Sequence, residues 1–170
     1  MISKEDIKHL EKIFPFWLDM KQNDRAKIIL SSRILSLKKN SIFFNSHELD
    51  GLLFLKSGKL RFFLSSLDAR ELPLYYLNNM EVEFFENFND KTISTILDIA
   101  FIVEKNSEIL LIPYSVLNLF RDKYSIMEKF LHNLTREKFS KYSLKIPWSV
   151  VSLIRVLSEP MDFLSRYKVN

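Results

Sequence analysis

The chain has no cysteine, only two glycines and three histidines in its 170 residues. Without cysteine, disulfides, iron–sulfur clusters and thiolate metal sites are excluded. The histidines are His9, His47 and His132, and only His47 lies where the sequence reads as β-structure, in the polar loop NSHELD. A metal-dependent barrel enzyme needs several histidines and a carboxylate converging on one point, so that class is set aside. Nucleophilic catalysis lacks its parts as well, since no serine stands in a G-x-S-x-G elbow. No apolar run approaches the ~18 residues that a membrane-spanning helix needs. The start, MISKEDIKHLEK, is too charged for a signal peptide. The expectation is a cytoplasmic protein that is not an enzyme, carries no cofactor and meets no membrane.

What is present is hydrophobic and aromatic. Hydrophobic residues make up 47% of the chain and charged ones 27%, enough to bury a core. The net charge is +4, unevenly placed. Residues 1–112 hold 15 Lys and Arg against 16 Asp and Glu, whereas residues 113–170 hold 10 against 5. A basic last third suits nucleic acid, and it equally suits a solvated, lysine-rich helix face.

Periodicity divides the chain into three parts. Ser3 can cap a first helix with Asp6 at its third position, and Ile7, Leu10, Ile13 and Phe14 recur at helical spacing. Pro15 closes that run, and Asn23 or Asp24 can cap a short helix over Ala26 to Leu30. From Ile34 short apolar runs alternate with polar turns: ILSL, KKNS, IFF, NSHELD, GLLFL, KLRFFLS, SLDAR, ELPLYYL. An irregular acidic and aromatic stretch follows, then ISTILDIAFIV, the turn EKNS and EILLIP. Such spacing predicts a β-sandwich or barrel. Both glycines fall in GLLFLKSGKLRFFLSS, where a chain of this length averages about a dozen in all. Gly58 within KSGK predicts a tight hairpin joining strands near 51–56 and 59–65. Gly51, after Asp50, predicts a turn-to-strand junction.

After Pro113, YSVLNLF predicts a short helix, and Ile126, Met127, Phe130, Leu131, Leu134 and Phe139 mark one face of a longer helix over 124–144. That helix either folds back on the β-domain or pairs with its twin. Pro147 ends it, and WSVVSLIRVL and a polar tail follow.

The order of these elements resembles the sensor domain of the Crp/Fnr family of bacterial transcription regulators, within the cyclic-nucleotide-binding-domain superfamily. The resemblance rests on IFPFWLDMKQNDRAKIILSS, LDGLLFLKSGKLRFFLSS and LDIAFIVEKNSEILLIPYSVLNLF, over about residues 13–145. It implies a mainly β protein with flanking helices: a double-stranded β-helix, or jelly roll, followed by a long dimerisation helix. The implied division is an N-terminal helical segment at 1–32, the jelly-roll sensor domain at 33–113, and a short helix with the dimerisation helix at 114–146. Residues 147–170 form a short extension, a candidate remnant of a DNA-binding domain. The implied homodimer forms through the helix at 124–144, with Met127, Phe130, Leu131 and Leu134 at the interface.

Two departures from the family pattern stand out. The cyclic-AMP-binding members use a glycine-rich turn, a glutamate for the ribose and an arginine for the phosphate. Counted back from Ile112-Pro113, the arginine's place falls at Leu97, the glutamate's near Asn87 beside Glu86, and the preceding glycine's at Met80. Lys91 stands several residues from the arginine's place. A phosphate beside leucine, with Glu81, Glu83 and Glu86 close in sequence, lacks its counter-charge, so cyclic AMP is expected to bind weakly or not at all. The acidic cluster Glu81, Glu83, Glu86 and Asp90 reads as solvated surface. Phe84, Phe85 and Phe88 either fill the space that glycine and ligand occupy in those members or line a pocket for an apolar effector. The candidate effector-pocket residues are therefore Met80, Glu81, Glu83, Phe84, Glu86, Asn87 and Leu97, for an unidentified small molecule if there is one.

The second departure is the end: 24 residues follow Ile146, too few for a helix-turn-helix module. DNA is expected as a partner only through such a module. The sequence leaves two functions open: a regulator's sensor domain, and an effector-free dimerisation protein that modulates a full-length relative.

Overall fold

The computed structural model describes residues 2–44, 49–66, 71–85 and 97–142. Helices α1 (Lys4–Ile13) and α2 (Gln22–Ser31) flank a 3-10 turn at Trp17–Asp19. Six strands follow: β1 (Arg33–Leu37), β2 (Ile42–Phe44), β3 (Gly51–Ser66), β4 (Glu71–Asn78), β5 (Val82–Phe85) and β6 (Leu97–Pro113). Helices α3 (Tyr114–Arg121) and α4 (Ser125–Tyr142) complete the described chain.

The start of α1 follows the sequence. Ser3 Oγ accepts from the Asp6 N–H at 3.1 Å, and Asp6 Oδ2 accepts from the Ser3 N–H at 2.8 Å, a reciprocal capping box. The start of α2 does not. Lys21 occupies the cap position with no side-chain cap of its own, and Asp24 lies within the first turn, turned toward another partner.

All strand pairings are antiparallel, and β3 and β6 pair along nearly their whole lengths, from Gly51↔Pro113 to Ser66↔Leu97. At one end of this long ribbon β1 lies beside β6 and β5 beside β3. At the other end β2 lies beside β6 and β4 beside β3. The ribbon therefore belongs to two four-stranded halves.

The expected hairpin at KSGK does not form, and EKNS does not turn the chain either. Both segments sit inside continuous strands, facing one another across the ribbon, with register shifts between Leu55, Ser57, Lys59 and Leu60. Gly58 is a bulge residue with φ of 108°, and a Cβ there would lie 2.1 Å from Ser107 Oγ. Ser107 Oγ donates to the Lys105 carbonyl at 2.6 Å and accepts from the Lys59 N–H at 3.2 Å, which satisfies groups the bulge frees from the ladder. The signal was read correctly as a demand for positive φ; a bulge uses it as readily as a hairpin.

The bulge has a consequence for packing. Before it, odd-numbered Leu53 and Leu55 point into one core; after it, even-numbered Leu60 and Phe62 point into the same core. Between Leu55 and Leu60 β3 advances five residues while β6 advances six, from Ile109 to Val103, and this irregular register reverses the alternation on β3. Its two halves therefore share an interior with Phe101, Val103, Ile109 and Leu111. The opposite face of the first half, Leu52, Phe54, Leu110 and Ile112, packs against Leu10, Phe14, Trp17, Ile28, Leu117 and Phe120 of the helices. Full burial of each such leucine or phenylalanine stabilises by roughly 1.5–3 kcal/mol. β5, within the stretch expected to be irregular, closes the edge of this half through Leu52↔Phe84 and Leu53↔Glu83.

Candidate functional site

The expected effector residues that the structure describes lie at the β4–β5 turn and along β5. Met80 takes φ of 65°, the left-handed conformation suited to glycine, at the place where the resemblance puts one. Its N–H donates to the Leu55 carbonyl at 2.7 Å, and Leu55 N–H donates to the Glu81 carbonyl at 3.0 Å, so this turn continues the β3 edge. Glu81 holds the turn closed, its Oε2 accepting from the Asn78 N–H at 2.7 Å.

Glu83 and Phe84 are neighbours on β5 and point to opposite faces. Glu83, opposite Leu53, is buried on the inner face, where Oε1 accepts from the Phe84 N–H at 3.1 Å. Phe84 packs on the helix side, its ring 6.3 Å from that of Tyr114. One cavity cannot be lined by both. Leu97 opens β6 opposite Ser66. Glu86, Asn87 and Lys91 lie outside the described residues, as do His47, Asp90, Phe88 and the extension at 147–170. An open cleft of about 540 Å³ lies at the bulge, walled by Ser36, Lys38, Ser57 and Asn106, and no expected effector residue lines it. Among the described residues no group of histidines and carboxylates is placed to hold a metal ion.

The inner face of the second half carries a row of rings across four strands. Tyr75 stacks on Phe62 at 4.8 Å, Phe62 meets Phe101 at 5.1 Å, and Phe101 stacks on Phe43 at 5.0 Å. These side chains fill the space between β2 and β4.

Helix α4 lies against this scaffold. Met127 and Leu131 are buried in the chain's own helix-side core. Phe130 and Leu134 are half-buried, with the Phe130 ring 5.5 Å from Phe14 and 5.8 Å from Phe16. Ile126 is 47% exposed and points away. Of the expected interface residues, Met127 and Leu131 thus contribute to folding within the chain, and Phe130 and Leu134 retain an outward surface.

Polar contacts fix the helices, and the sequence reading missed them. Arg121 makes a two-pronged contact with Glu128, its Nε and Nη2 both donating, the latter at 2.8 Å. The Arg121 guanidinium holds the Glu128 carboxyl below the usual carboxylate range. Lys56 Nζ lies 2.8 Å from Asp6 Oδ1 and 2.7 Å from Glu108, joining α1 to both strands of the ribbon. The contact with Asp6 Oδ1 is ionic rather than a well-directed hydrogen bond. Burial works against the charge on Asp6, but Lys56 and Ser3 outweigh it and hold its pKa below the ordinary value. A signal for this contact was present, because Lys56 is the single charge in GLLFLKSG.

No protein-family model and no curated protein matches the chain. Solved structures do. One is described as a transcriptional regulator of the Crp/Fnr family from Eubacterium rectale, 25% identical, with a TM-score of 0.65 over 79% of this chain and 62% of that one. The fold is that of a Crp/Fnr-type sensor domain. A CprK variant matches at 15% identity and a TM-score of 0.51, over 74% of this chain and 59% of that one. A CooA variant from Carboxydothermus hydrogenoformans matches at 12% and 0.50, over 83% and 93%. These last two show the Crp/Fnr-type fold alone. The chain spans about 62% of the Eubacterium rectale regulator's length. Among the described residues no helix is long and apolar enough to cross a membrane.

Proposed function

We propose that the chain is the effector-sensing, dimer-forming part of a Crp/Fnr-type transcription regulator. The domains in this reading are a helical segment at 1–32, a jelly-roll sensor at 33–113 and the helices at 114–146. The observation that carries this reading is the long β3–β6 ribbon leading directly into α3, with α4 after it, and the likeness of 79% of the chain to the Eubacterium rectale regulator supports it. In this reading an effector shifts the population of two arrangements of α4. The matched structures include CprK complexed with OCPA, which supports effector sensing on this scaffold.

Cyclic nucleotides are not that effector. Glu81 is occupied by the β4–β5 turn, Glu83 is a buried acid, and leucine stands at the place of the phosphate-binding arginine. A buried phosphate here would lack its counter-charge. Isothermal titration with cyclic AMP and cyclic GMP is expected to give no micromolar binding; micromolar binding of either one refutes this part of the reading.

A second reading is favoured by the stacked rings of Tyr75, Phe62, Phe101 and Phe43, which fill the inner face. In it the protein has no effector and uses α4 to pair with itself or with a full-length relative. Both readings need a dimer through α4. Light scattering on Ile126→Glu and Leu134→Glu tests it, since Ile126 is exposed and Leu134 only half-buried. The expected result is a fall to the monomer mass with the fold retained by circular dichroism. An unchanged dimer removes the premise of both readings.

A further inference from the structure

Tyr124 stands in the corner between α3 and α4 and touches three helices. Its N–H donates to the Phe120 carbonyl at the end of α3, at 2.8 Å, and its own carbonyl accepts from the Met127 N–H in the first turn of α4, at 2.8 Å. Its hydroxyl reaches the start of α2, about a hundred residues back in the chain. There it accepts from the Lys21 N–H at 3.1 Å and donates to Asp24 Oδ2 at 2.6 Å.

Lys21 and Asp24 are the first and fourth members of what would be a capping box. In that box the third-position carboxylate accepts directly from the cap residue's N–H. Here the Tyr124 hydroxyl is inserted between them, relaying the bond from amide to carboxylate. Helix α2 has no side-chain cap of its own, so a tyrosine on the far helical segment supplies it. Lys123 Nζ, 2.5 Å from the same oxygen, adds its charge.

We infer that this relay is a latch coupling the N-terminal helices to the position of α4. With Tyr124 seated, α2 is capped and the α3–α4 corner is fixed. With Tyr124 withdrawn, the first turn of α2 loses its cap and the start of α4 loses its hydrogen-bonded tie to α2. Coupling of this kind is reciprocal: whatever loosens α2 must loosen the start of α4 to the same extent. The latch lies apart from the β4–β5 turn, between residues of α2 and the α3–α4 corner.

Hydrogen exchange on the full chain, read by mass spectrometry, tests it with Tyr124→Phe, Asp24→Asn and the double variant. Each single change is expected to raise exchange about tenfold both in the first turn of α2 and in the first two turns of α4, with the β3 peptides unchanged. The double variant is expected to show no more than either single one. Lys123→Ala, which keeps the hydroxyl relay, is expected to have a smaller effect at both ends. If Asp24→Asn leaves α4 unchanged, the coupling is overturned, because a purely local cap would disturb α2 alone. If Lys123→Ala matches Tyr124→Phe at both ends, the contact is ionic and the relay is overturned.

Discussion

Met80 donates its N–H to the Leu55 carbonyl at 2.7 Å with a backbone φ of 65°. A residue with a Cβ costs about 1–2 kcal/mol in that conformation, whereas glycine adopts it freely. The Met80 side chain is 53% exposed and contributes little packing to offset the cost. Met80→Gly is therefore expected to stabilise the protein by about 1 kcal/mol, after the extra chain entropy of glycine is subtracted, raising Tm by about 2–4 °C. Met80→Val is expected to lower it. A thermal melt of the two variants decides, and a loss of stability in Met80→Gly contradicts the assigned conformation.

The two glycines make a matched pair of tests. At Gly58 an added Cβ meets the side chain and Cα of Ser107, and at Gly51 it meets the Ile112 carbonyl oxygen at 2.1 Å and the Tyr114 nitrogen at 2.9 Å. Gly58→Ala combines positive-φ strain with overpacking and is expected to cost about 2–4 kcal/mol. Gly51→Ala is expected to cost more, because its wall is strand backbone and cannot turn aside. Urea unfolding of both variants gives the order. The reverse order would mean that Ser107, not the ribbon backbone, is the rigid element.

The capping box at Ser3 was legible because a cap is a local event, set by residues three apart. The strand runs were legible from alternation, and the two glycines from their rarity. What a short window could not show was that the runs on either side of Ser57-Gly58 and of EKNS are continuous. Either glycine signal, hairpin or bulge, satisfies the same backbone requirement, and only the partner strand decides. β5 was hidden because it is short and covered on both faces: Val82 and Phe84 pack on the helix side, and Glu83 is buried where alternation predicts a solvent-facing acid. Asp24 was read as a cap because its type and position fit one, while its partner, Tyr124, lies far along the chain. Met127 and Leu131 had the right period for a buried face, and period alone cannot say whether the same chain or a twin covers it.

Acid should act on the link between α1 and the ribbon in a defined direction. The Asp6 carboxyl in the folded protein has a pKa below its ordinary 3.8. A group depressed on folding contributes stability above its unfolded pKa and loses it as pH falls through the folded one. The contribution is thus complete above about pH 4 and declines below it. Asp6→Asn keeps a cap acceptor for Ser3 but removes the charge facing Lys56. The stability difference between wild type and Asp6→Asn, followed by urea titration from about pH 5 to about pH 2, should shrink toward the acid end. A difference that stays constant would show that Lys56 gains nothing from Asp6.

Helix α4 offers the sharpest separation between folding and association. Leu131 is 2% exposed and belongs to the helix-side core with Phe14, Leu117 and Met127. Leu131→Ala is expected to cost about 2–5 kcal/mol by leaving a cavity that its neighbours fill only partly. Ile126, at 47% exposure, should lose less than about 0.5 kcal/mol on truncation to alanine if nothing covers it. In a dimer joined along α4 the Ile126→Ala cost rises with protein concentration, because the partner's contact is lost along with the side chain. Denaturation of both variants at two concentrations a hundredfold apart separates the cases. A concentration-independent midpoint for wild type and for Ile126→Ala would leave Ile126 facing solvent and rule out a dimer joined along α4.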